Sequence, residues 1–442
     1  MILEVGADVR VSAPGAPHVE PYIASNPQDA RSVIVSASEM VRGKGTRARA
    51  YVSEDGGVHW QQAPLPQMEP EAQVRYAHDC WIAFGGDGTA YLAALANREA
   101  RGQWGAAVLV YRSDDRGRSW REPAAISGRS FDRPAVAVVG RGDGARVYVS
   151  ALISGKEALL GGGHSEADGA VLLRSDDRGA SFRPVAFLAP DDLSHQPGNP
   201  VPLSEGRVVL PFGDYPGRAS QGPRSARFYV ARSEDGGETF GPPSFVADVP
   251  RAFGGFFMLA ADESTRRYRG RLYVAWNGGD MGAQRGSGTW RDVSVAYSSD
   301  GGRSWSPPHT VAKAAGRPAY FNAIAISPAG VVGVAWVQHE DGPARAHCYR
   351  PYFSASSDGG QSFADAVALS QSVSCPGGSE EDDPVYPITG RRLSQEWPRG
   401  GDYIGLVAAA DGRFHAVWID AGEGYFAVHS AAVRVVERPA SR

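Results

Sequence analysis

The chain has 442 residues, with 45 basic and 49 acidic side chains and a formal net charge of −4. That balance argues against nucleic acid as the main partner. No stretch approaches the roughly 18 uninterrupted apolar residues of a membrane-spanning helix. Fifty-five glycines, 31 prolines and many aromatic residues suit a turn-rich β protein.

The chain opens on MILEVGADVRVS, which lacks the basic and then apolar regions of a signal peptide. From there, short apolar runs alternate with turn residues. Blade-like groups of such runs begin near Tyr22, Cys80, Pro134, Pro200, Phe256 and Phe321. Each group ends in an octet of the form S-x-D-x-G-x-x-[WF]. The six octets occupy 53–60, 113–120, 175–182, 233–240, 298–305 and 356–363. Their aspartates Asp55, Asp115, Asp177, Asp235, Asp300 and Asp358 recur every 58 to 65 residues, which identifies a repeat architecture. The Asp and Ser can close a tight turn on backbone N–H groups. The fifth-position Gly tolerates a positive φ, and the final aromatic anchors the turn between sheets.

After the sixth octet comes a long loop, 370–401, with few strand signals. It holds the acidic run Glu380-Glu381-Asp382-Asp383, which can bind Ca²⁺ but reads first as a solvated loop. From Tyr403 a further strand pair begins, with no seventh octet. Residues 402–434 together with the N-terminal 2–12 are expected to form one last blade, closing the ring and removing exposed edges. The expected fold is therefore all-β: one propeller domain over 1–442, of seven four-stranded blades. Six blades with an irregular terminal sheet is the alternative. Three cysteines make no metal signature; Cys348 and Cys375 either pair or remain thiols like Cys80.

The octet resembles the Asp box, or BNR repeat, of the sialidase (neuraminidase) superfamily, and the resemblance spans almost the whole chain. It implies a propeller with the boxes on the face opposite the active site. Known sialidases have six blades, so seven is a departure. The resemblance also implies an extracytoplasmic protein, although no leader is visible. In that family three arginines clamp a substrate carboxylate, and a Tyr paired with a Glu attacks the anomeric carbon while an Asp acts as acid/base. Carried over residue by residue, Arg291 and Arg350 precede third strands and resemble the second and third clamp arginines. Tyr403 stands where the nucleophile would be, Asp280 where its carboxylate partner would be, and Glu39 is nearest to the acid/base. Where the first clamp arginine belongs, the chain has Glu20 in HVEPY; Arg133 in FDRP is similar but two blades later.

The loops converging on the channel also bring His78, Asp79, Asp132, His195, Asn199, Asn322 and Asp402 to the positions before first strands. The expected function is a sialidase-like glycoside hydrolase on an acidic sugar, with Tyr403, Asp280 and Glu39 catalytic. Arg291, Arg350, Arg133, Asp79 and His78 would bind substrate, and no cofactor or bound metal is expected. The alternatives are a non-catalytic propeller binding glycan or protein, and a polysaccharide lyase using a His–Tyr pair as base and acid.

Overall fold

The computed structural model describes the chain except residues 42–44, 67–73, 101–102, 127–130, 154–168, 189–193, 216–224, 251–256, 279–291, 313–316, 341–347, 378–382, 387–389, 423 and 437–442. Seven antiparallel blades follow one another around a ring, the architecture expected from the repeat. Blade 1 runs His18–Ser25, Val33–Val41, Gly45–Ser53 and Gln61–Ala63. Blade 2 runs Val74–Phe84, Ala90–Ala100, Gln103–Ser113 and Ala124–Ile126, joined to blade 1 by one parallel pair, Thr46 with Tyr76. Blades 3 to 6 repeat the plan. Blade 7 is Gly405–Ala408, Phe414–Asp420 and Ala427–Val436, completed by Ile2–Val5. Ile2 to Val5 pair with Val436 to Val433, so the two ends of the chain share one sheet and close the ring.

Each blade is covered on both faces by its neighbours, so its middle strands are nearly continuous apolar runs. Every residue of Phe414–Asp420 and of Gly169–Ser175 is buried. The fourth strands lie outermost and are half wet; Gln61 and Gln62 are exposed. Among the described residues no helix is long and apolar enough to cross a membrane.

The six octets form one turn repeated. In the fifth copy Ser298 Oγ accepts from Gly302 N at 2.7 Å and donates to Asp300 Oδ1 at 2.7 Å. Asp300 Oδ1 accepts from Ser304 N at 2.9 Å, and the Ser304 hydroxyl donates to Oδ2 at 2.5 Å. These bonds drive the ionised Asp below the usual carboxylate range against the opposing effect of burial. The fifth-position glycine has a second task. Gly117, at φ +89°, lies so close to blade 1 that a Cβ there would stand 2.4 Å from Ile34 Cδ1. Gly179 sits on Tyr91, Gly237 on Tyr148 and Gly360 on Tyr273, each from the preceding blade. Gly57 sits on His415 of blade 7, so the same contact seals the ring where the chain ends meet.

Candidate functional site

The first strands line the central channel, and among the described residues four of them break their ladder at the same place. The register shifts between Val19 and Tyr22, His78 and Trp81, Asp132 and Ala135, and Tyr320 and Asn322. At each break one residue adopts a left-handed backbone: Glu20 (φ 58°), Asp79 (φ 52°), Arg133 (φ 53°) and Phe321 (φ 48°). Non-glycine residues rarely sit there, and such positions cluster at functional sites.

Three of these four residues meet at one cavity. It has a volume of about 160 Å³ and is lined by Glu20, His78, Asp79, Asp132, Arg133, Trp397, Asp402 and Tyr403. Blades 1, 2, 3 and 7 thus each contribute a polar group, and the long loop contributes Trp397. That loop is held against blade 1 by backbone: Glu20 N donates to Gly400 O at 2.8 Å. Gly401, at φ +127°, passes so close that a Cβ would stand 2.4 Å from Glu20 Cγ. Arg399, buried, places its guanidinium 3.4 Å from the centre of the Tyr320 ring. Trp397 packs on Tyr386, ring centres 4.5 Å apart.

Within the cavity His78 Nδ1 donates to Asp79 Oδ1 at 3.0 Å, and His78 Nε2 accepts from the Asn97 amide at 3.0 Å. Arg133 donates to Gln196 Oε1 at 3.1 Å and to Asp402 Oδ2 at 3.4 Å. The carboxyl groups are driven apart electrostatically. Burial, and then the charge of Asp79 beside it, push Glu20 well above the usual range. Burial works against ionised Asp79 too, but His78, the Glu20 carboxyl and Arg133 overcome it and hold it below the usual range. Asp132 rises to about 6 through burial and the Asp79 charge, with Arg133 opposing. Asp402 is raised by burial, with Arg133 opposing. The Tyr403 hydroxyl is raised well above the phenol range by burial and by Glu20 and Asp79. Tyr403 also lies beneath Trp81, ring centres 5.9 Å apart, and Trp81 stacks on Tyr22 at 3.6 Å.

Of the residues expected at the site, His78, Asp79, Arg133 and Tyr403 come together here, with Asp132 and Asp402 from the channel-facing positions. Glu39 does not line the cavity; it pairs with Arg49 on blade 1. Nor does Arg350, whose guanidinium lies 3.8 Å from Glu340, a carboxylate that also accepts from Tyr352 Oη at 3.0 Å. Asp280 and Arg291 lie outside the described residues. His195 Nδ1 lies 2.5 Å from Asp214 Oδ1, and Asn199 joins blade 4 to Leu259 of blade 5; neither lines the cavity. Trp397 carried no signal in the sequence: it belongs to a stretch without a motif, and only the closed ring brings it to the channel. Cys348 and Cys375 form a disulfide, and Cys80 is a buried thiol. In the acidic run, Glu380 to Asp382 lie outside the described residues. Asp383 accepts from the Ser394 backbone N at 2.7 Å and hydroxyl at 2.5 Å, next to a short helix, Leu393–Glu396.

No family model matches the chain, and no curated protein matches it. Among solved structures it is similar to a protein of unknown function from Dyadobacter fermentans DSM 18053. The two share 12% identity at a TM-score of 0.52, over 98% of this chain and 99% of that one. The Hadza microbial sialidase Hz136 is 15% identical, TM-score 0.48, over 92% of this chain and 74% of that one. An alpha-L-arabinanase from Penicillium chrysogenum, complexed with arabinobiose, is 14% identical, TM-score 0.48, over 84% and 95%. The match to the Dyadobacter protein, end to end in both chains, shows a shared propeller fold.

Proposed function

We propose that the chain is a glycoside hydrolase that cleaves a terminal neutral sugar at the mouth of the propeller channel. The observation that carries this reading is the cavity's lining among the described residues: four carboxyl groups, one guanidinium and an aromatic wall around a space of about 160 Å³. Glycosidic bonds are broken by paired carboxyl groups, one protonating the leaving oxygen and the other serving the anomeric carbon or its water. Asp132 and Asp402, flanking Arg133, are the pair we assign to those roles. Trp397 supplies a flat apolar surface for one sugar ring.

The sugar is neutral because of charge. A carboxylated sugar needs a surplus of cations, yet among the described residues four carboxyl groups face one arginine and one histidine. The acidic substrate expected from the sialidase resemblance is therefore replaced by a neutral one. A second reading, a lyase on uronic-acid glycans, draws support from His78 and Tyr403 sharing the cavity, but its anionic substrate meets the same repulsion.

The test is a panel of fluorogenic glycosides, with neutral pentosides and hexosides set against a sialoside and a uronide. Turnover of a neutral member, lost about 10²-fold or more in Asp132→Asn and Asp402→Asn, is expected. Turnover of the sialoside alone, or of no member, contradicts the proposal; formation of an unsaturated uronide supports the lyase.

A further inference from the structure

Three side chains in this cavity hold their donor atoms as metal ligands do. A carboxylate oxygen of Glu20, an imidazole nitrogen of His78 and a carboxylate oxygen of Asp79 all lie within 4.8 Å of one another. Around one Zn²⁺, with bonds of about 2.1 Å, donor atoms stand roughly 3 to 4 Å apart. His78 Nδ1 and Asp79 Oδ1, at 3.0 Å, already have that spacing, and a Glu20 oxygen lies within 4.8 Å of a donor atom of each.

An independent observation comes from the buried polar atoms. Glu20 is only 3% exposed, and its Oε2 has no hydrogen-bond partner among the described residues. A buried carboxylate oxygen left so costs of the order of 1–3 kcal/mol. It is held there by two rigid features: the left-handed turn at Glu20 and the Gly401 backbone pressed on its side chain. The fold thus spends strain to present an unsatisfied oxygen next to an imidazole and a second carboxylate. Asp132 and Asp402 line the same cavity, so among the described residues the surplus of acidic groups over Arg133 and His78 calls for a cation.

We propose that Glu20, His78 and Asp79 form a divalent transition-metal site at the channel mouth. Two oxygens and one imidazole suit Zn²⁺ or Mn²⁺ better than Ca²⁺ or Mg²⁺, which favour all-oxygen sets. His78 binds the ion through Nδ1, the nitrogen that faces Asp79. Its Nε2 then carries the proton, and Asn97 turns its carbonyl toward it, the second partner that fixes a metal-bound histidine. The three residues leave open positions toward the cavity, where a sugar hydroxyl or water completes the sphere. The site stands on its own geometry and does not depend on the hydrolase reading.

The test uses the full chain stripped with EDTA and titrated calorimetrically with Zn²⁺, Mn²⁺ and Ca²⁺, with bound metal counted by elemental analysis. About one equivalent of Zn²⁺ or Mn²⁺ is expected, with binding weakened at least tenfold in each of Glu20→Gln, His78→Ala and Asp79→Asn. No saturable binding of a transition ion by the stripped wild type overturns the site and leaves protons as the balancing charge. Binding unchanged in all three variants places the ion elsewhere and also overturns it. Should these variants fail to fold by circular dichroism, Asn97→Ala decides: it keeps every ligand, is expected to bind about tenfold more weakly, and an unchanged Kd overturns the proposal. Because binding is read directly, a chain that binds the metal but cleaves no glycoside refutes the hydrolase reading alone.

Discussion

A residue's neighbours decide what it does here more than its type. Glu20, Asp79 and Arg133 occupy the same left-handed position in three successive blades, yet the Glu20 carboxyl is pushed well above the usual range, the Asp79 carboxyl is held below it, and Arg133 is a cation. His415 shows the same dependence away from the site. It lies buried beneath Gly57 at the ring's seam, and burial, with Arg413 nearby, lowers its pKa from 6.5 to about 4. The folded state therefore binds a proton there less readily than the unfolded chain. Its contribution to stability is complete above the unfolded value of 6.5 and is lost as pH falls from there toward 4. A lowering of this size corresponds to roughly 3 kcal/mol once fully expressed. Between pH 7 and pH 4.5 the melting temperature of wild type is expected to fall further than that of His415→Gln. Equal falls in scanning calorimetry would contradict this.

At the scale of the element, the octet joins a turn to a contact between blades. Its turn chemistry was legible in the sequence, because Ser, Asp and Gly each satisfy a local backbone need. Its seating on the preceding blade was not, because Ile34, Tyr91 and Tyr148 lie in other repeats. Gly117→Ala tests the seating. It incurs both the left-handed backbone and a Cβ 2.4 Å from Ile34 Cδ1. Gly206→Ala, at φ +83° with no atom within 4 Å of the added Cβ, incurs only the first. Gly206→Ala is expected to lose about 1–2 kcal/mol, and Gly117→Ala at least about 1 kcal/mol more, by chemical denaturation. Equal losses would mean that the blade contact contributes nothing.

At the scale of the molecule, seven blades were legible because the strand runs outnumber the octets and the N-terminal run needed a partner. The candidate site was legible only in part. The positions before first strands named His78, Asp79, Asp132, Arg133, Asp402 and Tyr403, since each repeat presents that position to the channel. Their grouping was not legible: residues from blades 1, 2, 3 and 7 meet only when the ring closes, and family roles drew attention to Glu39 and Arg350 on the rim. Closure itself is testable. Removing residues 1–5 deletes the outer strand paired with Val433 to Val436 and exposes the edge of Ala427–Val436. The truncated chain is expected to melt several degrees lower and to self-associate in sedimentation velocity. A monomer with unchanged melting would show that the ring does not need its N-terminal strand.

The central claim is that chemistry occurs at the channel-mouth cavity and not at the rim arginine. The most direct measurement is kcat/KM on the best neutral glycoside for wild type, Asp132→Asn and Arg350→Ala, each checked for folding. Loss of about 10²-fold or more in Asp132→Asn, with Arg350→Ala within roughly twofold of wild type, is the predicted result. Full activity in Asp132→Asn, or collapse of activity in Arg350→Ala, would place the chemistry elsewhere.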